Sequence, residues 1–442
     1  MLSADLSVCP RETYRASSVA FAFFIAVSGL AGMKLVIGAP LHWFLALTAF
    51  TAWAVLRPEP LVRTTLSVFT ELLSLKPGWL FFWGAWLCFC LGILLAGATN
   101  DWAGVYTVPK YLALMGVLWL LVAFVPTNEE IARGLYLLAL VGLLGLAIIW
   151  FFGFREWLVF PPKRFGWEFL PPGVIWKAGV FLLPPLCWLL VNPRAPSVFH
   201  WVVFCVACIL VGLDGSRTAT LLAAMTWLVC VALGWRRYRP SSTFYKRVVV
   251  VALLMVVLIG GLNPSPWNPV IHIYSVLGDL IPTHLLSSER GAGGSVVQVG
   301  RDMGTDSIRT AMLIEGIRGV QEHFLLGSGF GTTVAQTERM PTPMVVHMTY
   351  LQVLADTGLV GFLGYLGIFV VPLWCFFSAL RKSDARWELF DQNVLPLGVI
   401  GIYLFSGLFH PVSNEISEWA IVLPALAMLF KVTERFEGER HL

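Results

Sequence analysis

Twelve runs of apolar residues recur along the chain, at about 17–36, 39–56, 79–98, 111–126, 135–152, 174–191, 198–213, 217–235, 248–263, 358–379, 394–409 and 419–430. The hydrocarbon core of a bilayer takes roughly 20 residues to cross as a helix. Inside it every backbone N–H and C=O has to be paired within the chain, a condition that each helix meets on its own. Repeated runs of this length leave few other folds open. Composition agrees, with 57% of the 442 residues hydrophobic and only 13% charged, where soluble domains run near a quarter charged. The expected fold is all-α, a polytopic membrane protein of about 12 transmembrane helices.

Orientation follows from the cations. Of the 30 Lys and Arg, 18 fall in one set of alternating connecting segments, 10 in the other, and Lys34 and Lys177 lie inside spans. The richer side is cytoplasmic by the positive-inside rule, so both termini are expected there. A net charge of +4 is too small to imply a nucleic-acid partner. No basic amphipathic leader precedes the first run, and Ser17–Val36 reads as a retained helix. Seven of the eight Cys lie in apolar runs and none in the longest polar segment, which argues against a disulfide framework. Cys205 and Cys208 read as small packing residues rather than metal ligands.

One segment on the side away from the cytoplasm, 264–346, is far longer than the rest. It divides the chain into nine spans (1–263), a large loop (264–346), and three further spans with a cytoplasmic C-terminus (347–442). The loop opens on a Pro-rich turn, Asn263 to Pro269, and contains the flexible Gly291–Gly294. Val270–Leu286 is expected as an amphipathic helix on the membrane surface, and Ser307–His323 as a second helix. No internal repeat is visible, so an inverted-repeat transporter gains no support.

The cations on the outer side are grouped: Lys163 with Arg164, Arg217 in Asp214-Gly-Ser-Arg217, and Arg301 with Arg309 and Arg318. Such grouping calls for an anionic partner, and the planar guanidinium fork suits phosphate. Arg217 is the sharpest case because it stands between two apolar runs, where an unpaired charge is costly. The bland reading is a boundary cation that reaches lipid headgroups, and that reading is the better one for Arg290 or Arg339 taken singly. Gly327-Ser-Gly-Phe-Gly331 would let backbone amides approach an oxyanion, a weak signal alone. His347 opens an amphipathic helix through Leu351 and Leu354. A neutral imidazole there suits a general base, although a lone His at a helix start is more often a cap or a satisfied polar group. Asp302 and Asp306 read as ion-pair partners rather than metal ligands. His410, Asn414 and Glu415 either border the same cavity or serve as packing and capping groups.

Taken in order, Ser216-Arg217 opening a span, Ser307-Ile-Arg309 at the start of a loop helix, Gly327-Ser-Gly329, and His347-x-x-x-Leu351 running to Gly358-Leu-Val-Gly361 resemble the O-antigen ligase and polymerase superfamily. The resemblance implies glycan transfer in the periplasm, from an undecaprenyl-pyrophosphate carrier to an acceptor hydroxyl, with no cofactor and no metal. It implies that Arg217 and Arg309 bind the pyrophosphate and that His347 orients or deprotonates the acceptor. Arg301, Arg318, Lys163 and Arg164 match only in general character, as secondary phosphate or acceptor contacts. The implied partners are undecaprenyl-pyrophosphate-linked O-antigen, lipid A–core oligosaccharide and the bilayer of the bacterial inner membrane. A single large loop late in the chain favours ligase over polymerase, since the loop at 153–173 is short. A protein-glycosylating ligase is a further enzyme reading. A transporter of an anionic lipid would need polar residues along the spans, and only Lys34 and Lys177 qualify.

Overall fold

A computed structural model describes residues 11–439 except 58–69, 71–76, 101, 103, 153–168, 172, 193–195, 239–240, 264–302, 338–339 and 414. The helices are α1 (Arg11–Gly29), α2 (Met33–Ile37), α3 (Ala39–Val55), α4 (Pro77–Thr99), α5 (Val108–Phe124), α6 (Asn128–Phe152), α7 (Lys177–Val180), α8 (Leu183–Val191), α9 (Val198–Asp214), α10 (Arg217–Tyr238) and α11 (Ser242–Met255). There follow α12 (Met303–His323), a hairpin of β1 (Val334–Thr337) and β2 (Met340–Val345), α13 (Thr349–Lys382), α14 (Arg386–Ser406) and α15 (Ile416–Glu439).

A helix overlies each of the twelve expected apolar runs. Among the described residues, 7 helices are long and apolar enough to cross a membrane, while Arg15–Gly29, Ala39–Val55, Lys177–Val191 and Val198–Asp214 are apolar but shorter. The chain is thus a helical, multi-pass membrane protein. The expected surface helix at 270–286 lies outside the described residues, whereas the second loop helix is present and starts earlier than expected, at Met303. The hairpin is an addition that the all-α expectation lacked.

The chain divides into two compact units, one of residues 1–30, 37–137 and 307–442, the other of residues 31–36 and 138–306. In the first, α4 lies against α13 where both carry small residues. A Cβ on Gly92 would sit 2.3 Å from Gly361 Cα, and one on Gly364 would sit 2.3 Å from Phe89 N. Close backbone approach of this kind is how helices associate in lipid, where apolar side chains gain little from leaving the solvent. Rings fill the remaining space, with Tyr111, Tyr403 and Phe369 all packed on Trp419. The buried Glu130 pairs with Arg57 at 2.8 Å and also accepts Trp53 Nε1 at 3.1 Å, so its charge is matched.

In the second unit, Gly179 brings α7 onto α9, where a Cβ would lie 2.5 Å from the Ala207 carbonyl. Gly212 likewise admits the Leu258 carbonyl, which belongs to a π-helical turn at Val256–Gly260 that continues α11. Of the two cysteines read as packing residues, Cys208 is buried and Cys205 half-buried; Cys187 and Cys230 are buried as well.

Candidate functional site

The site is built around a break in a helix. Gly358 (φ 66°, ψ −173°) interrupts α13, in a region of backbone space that is open to glycine almost alone. Such a break orphans carbonyls before it and an amide after it. The Gly-rich segment supplies the partners: Ser328 N donates to the Ala355 carbonyl and Gly329 N to the Asp356 carbonyl, both at 2.9 Å, while Leu359 N donates to the Phe324 carbonyl at 2.9 Å. Gly327, at φ 78°, permits this docking, since a Cβ there would lie 2.5 Å from the Asp356 carbonyl.

Four amides of the Gly-rich run, those of Gly327, Ser328, Gly329 and Gly331, are therefore spoken for. Gly327 N donates to the His323 carbonyl and Gly331 N to Asp356 Oδ2, each at 2.8 Å. The expectation that this run cradles an oxyanion is replaced by a structural role, because its hydrogen bonds complete the broken helix.

Asp356 anchors the assembly. Fully buried, its carboxylate accepts Gly331 N and Gln352 Nε2 through Oδ2, the latter at 3.1 Å, and Thr333 N through Oδ1 at 3.1 Å. Thr333 passes the order onward, its carbonyl accepting Val346 N at 3.3 Å. Gln352 Oε1 accepts Val412 N at 2.9 Å, and the Thr349 hydroxyl donates to the His410 carbonyl at 2.7 Å. The start of α13 is thereby tied to the 407–412 turn. Neither Asp356 nor Gln352 was singled out from the sequence, although a carboxylate inside an apolar helical run is itself a signal, since such a group is retained only with partners.

Val346 belongs to a small core with Ile308, Met312 and Ala335, so α12, the hairpin and the start of α13 form one packed body. Glycines let the helices meet: a Cβ on Gly316 would sit 2.5 Å from Leu351, and one on Gly319 would sit 3.1 Å from Ala355.

His347 follows Val346 directly. It stands in a bend before Thr349 begins the helix, rather than opening the helix as the sequence suggested. Its Nδ1 donates to the Val345 carbonyl at 2.7 Å. A carbonyl only accepts, so the proton of the neutral ring sits on Nδ1 and Nε2 is left as a base. Burial holds the imidazole pKa below its ordinary value; the bond to Val345 opposes that shift, and the positive charge of Arg309 adds to it. The ring is thus neutral near pH 7 and ready to accept a proton.

Arg309 is exposed on α12, one residue after the buried Ile308, and its charge is felt at His347. Arg309 and His347 are near enough for the charge of one to bear on the titration of the other. Arg318, also exposed, points its guanidinium at Glu315, with both oxygens engaged at 2.9 and 3.1 Å. Arg217 belongs to the other unit. It is exposed at the first position of α10, after Gly215 (φ 66°) has ended α9 and Ser216 Oγ has accepted Ala219 N at 3.3 Å. It makes no hydrogen bond or ion pair to a described residue, although a cation in the first helical turn opposes the helix dipole. Arg301, Lys163 and Arg164 lie outside the described residues, as do Asp302 and Asn414. Glu415 is engaged by Lys110 at 3.1 Å and by Trp43 Nε1 at 3.2 Å. Among the described residues no group of three or more His, Cys, Asp and Glu could hold a metal ion.

No curated protein matches the chain. Residues 201–366, the stretch that holds Arg217, Arg309, Asp356 and His347, match the O-antigen ligase family, whose members are glycan-transferring ligases and polymerases acting on lipid-linked polysaccharides in the membrane.

Proposed function

We propose that the protein is an inner-membrane ligase that moves O-antigen polysaccharide from undecaprenyl pyrophosphate to lipid A–core oligosaccharide on the periplasmic side. The observation that carries this reading is the bond from His347 Nδ1 to the Val345 carbonyl, which leaves Nε2 as a base with no partner among the described residues. An acceptor hydroxyl attacks the anomeric carbon of the donor sugar while its proton passes to Nε2. The bond from that carbon to the pyrophosphate oxygen breaks, and the electron pair leaves with undecaprenyl pyrophosphate. Direct displacement inverts the anomeric centre. A sugar pyrophosphate already carries a good leaving group, so the protein supplies charge, position and a base rather than a covalent nucleophile.

Arg309 and Arg217 are assigned to the pyrophosphate, where paired hydrogen bonds from a guanidinium match two oxygens. Arg301, Arg318, Lys163 and Arg164 are assigned to weaker phosphate or acceptor contacts. The reaction is assigned no metal and no cofactor. The test is lipopolysaccharide from a deletion strain, resolved by size. A ligase leaves core without O-antigen while the polymer accumulates on its carrier. Core bearing a single repeat would instead assign the chain to the polymerase arm of the family.

A further inference from the structure

α12 shows its neighbours only one face. Ile308, Met312 and Gly316 are turned inward, and on the opposite side Leu313, Ile314 and Ile317 are exposed by 40, 51 and 44%. Spacings of three and four residues place those three on one stripe. Arg309 and Arg318 are about two and a half turns apart and so border the stripe on its two flanks. Exposed Phe324, Leu325 and Leu326 prolong the apolar surface beyond the helix. Aliphatic side chains grouped like this are not a feature of a solvated helix.

A hydrogen bond already described joins this surface to a candidate membrane span. Leu359 N, which opens the apolar, membrane-crossing part of α13 after the Gly358 break, is held by the Phe324 carbonyl. The end of the apolar surface is therefore joined to a helix long and apolar enough to cross a membrane. An apolar stripe between two arginines, joined to the start of a span, is the pattern of a helix lying in the membrane interface.

We propose that α12 is such a helix. Its Leu313, Ile314 and Ile317 sink among the acyl chains of the leaflet that α13 enters at Leu359, and its bordering guanidinium groups lie at the level of the anionic lipid phosphates. The partner is the protein's own bilayer. This arrangement holds Arg309, and with it the neighbourhood of His347, at the depth at which the phosphate groups of any membrane-anchored substrate lie. The assignment of depth does not depend on the transfer reaction.

The experiment uses the full-length protein in vesicles of phosphatidylcholine and phosphatidylglycerol, with an environment-sensitive fluorescent residue at position 314 and, separately, at 317. Glu322, exposed on the same helix, provides a reference position. Blue-shifted emission at 314 and 317, quenched several-fold more by acyl-chain nitroxide lipids than by aqueous iodide, is the expected result, with the opposite preference at 322. Iodide quenching at 314 and 317 equal to that at 322 overturns the proposal. Protection from both quenchers also overturns it, since a protein partner or second copy would then cover the face. Because no donor is present, either failure leaves the ligase reading to its own test.

Discussion

The carboxylate of Asp356 accepts the backbone N–H of Thr333 at 3.1 Å, and Thr333 in turn holds Val346, the residue before His347. Replacing Asp356 by Asn keeps the shape but turns a donor toward amides that are themselves donors. The loss is expected to be about 1–3 kcal/mol of stability, as for other buried groups left unpaired. Turnover should fall further than donor binding, since the chain of bonds from Asp356 through Thr333 leads to the residue before His347. Thermal unfolding in detergent and transfer rates at saturating donor measure the two effects. Wild-type values in both would remove Asp356 from this role.

Glycines at the helix break are separable by what surrounds them. At Gly358 an Ala would meet the Leu325 carbonyl at 2.4 Å and would occupy backbone space that non-glycine residues avoid. At Gly331 (φ 79°) nothing lies within 4 Å. Gly331→Ala should therefore cost only the conformational term, about 1–2 kcal/mol, and Gly358→Ala clearly more. Equal melting temperatures for the two variants would mean that the Gly-rich run is not docked on the break.

The Arg309 charge lowers the His347 pKa. Activity requires the neutral imidazole, so rate should fall as acidity rises, with an inflection below the ordinary histidine range. Arg309→Gln removes a charge that disfavours the imidazolium, and the residual activity should show its inflection at higher pH. The pH profile of kcat for the two proteins decides this. An inflection that stays in place or moves to lower pH would separate Arg309 from the base.

Much of this was legible beforehand, for physical reasons that differ by element. The apolar runs were clear because lipid demands length and hydrophobicity together, and helices overlie each of them. His347 stood out as an imidazole at the start of an amphipathic helix, and Arg309 as one of a group of cations in the long loop. The hairpin carries Pro341 and Pro343, which argue against a central strand, yet a two-stranded sheet has only edges, and there Pro is tolerated. The purpose of Gly327-Ser-Gly329 was missed because its partner is the break at Gly358, about thirty residues on, and sequence spacing does not reveal which amides and carbonyls a chain leaves open.

Arg217 offers a charge with no partner among the described residues at the start of α10. Substitution by Lys retains the charge and loses the fork, so transfer should drop substantially in protein that still inserts, if the guanidinium grips the pyrophosphate in a paired fashion. Transfer at the wild-type rate in Arg217→Lys would reduce its part to bulk electrostatics, and the same in Arg217→Ala would take it out of the site. Chelation by EDTA should leave all these rates unchanged.

Everything turns on Nε2 of His347, which has no partner among the described residues. The direct measurement is the initial rate of glycan transfer from a polyprenyl-pyrophosphate donor by purified His347→Ala protein, at saturating donor and acceptor. A base of this kind contributes ~10²–10⁴-fold, and turnover should fall by that factor while donor affinity stays near that of the wild type. A turnover equal to the wild type's would contradict the assignment.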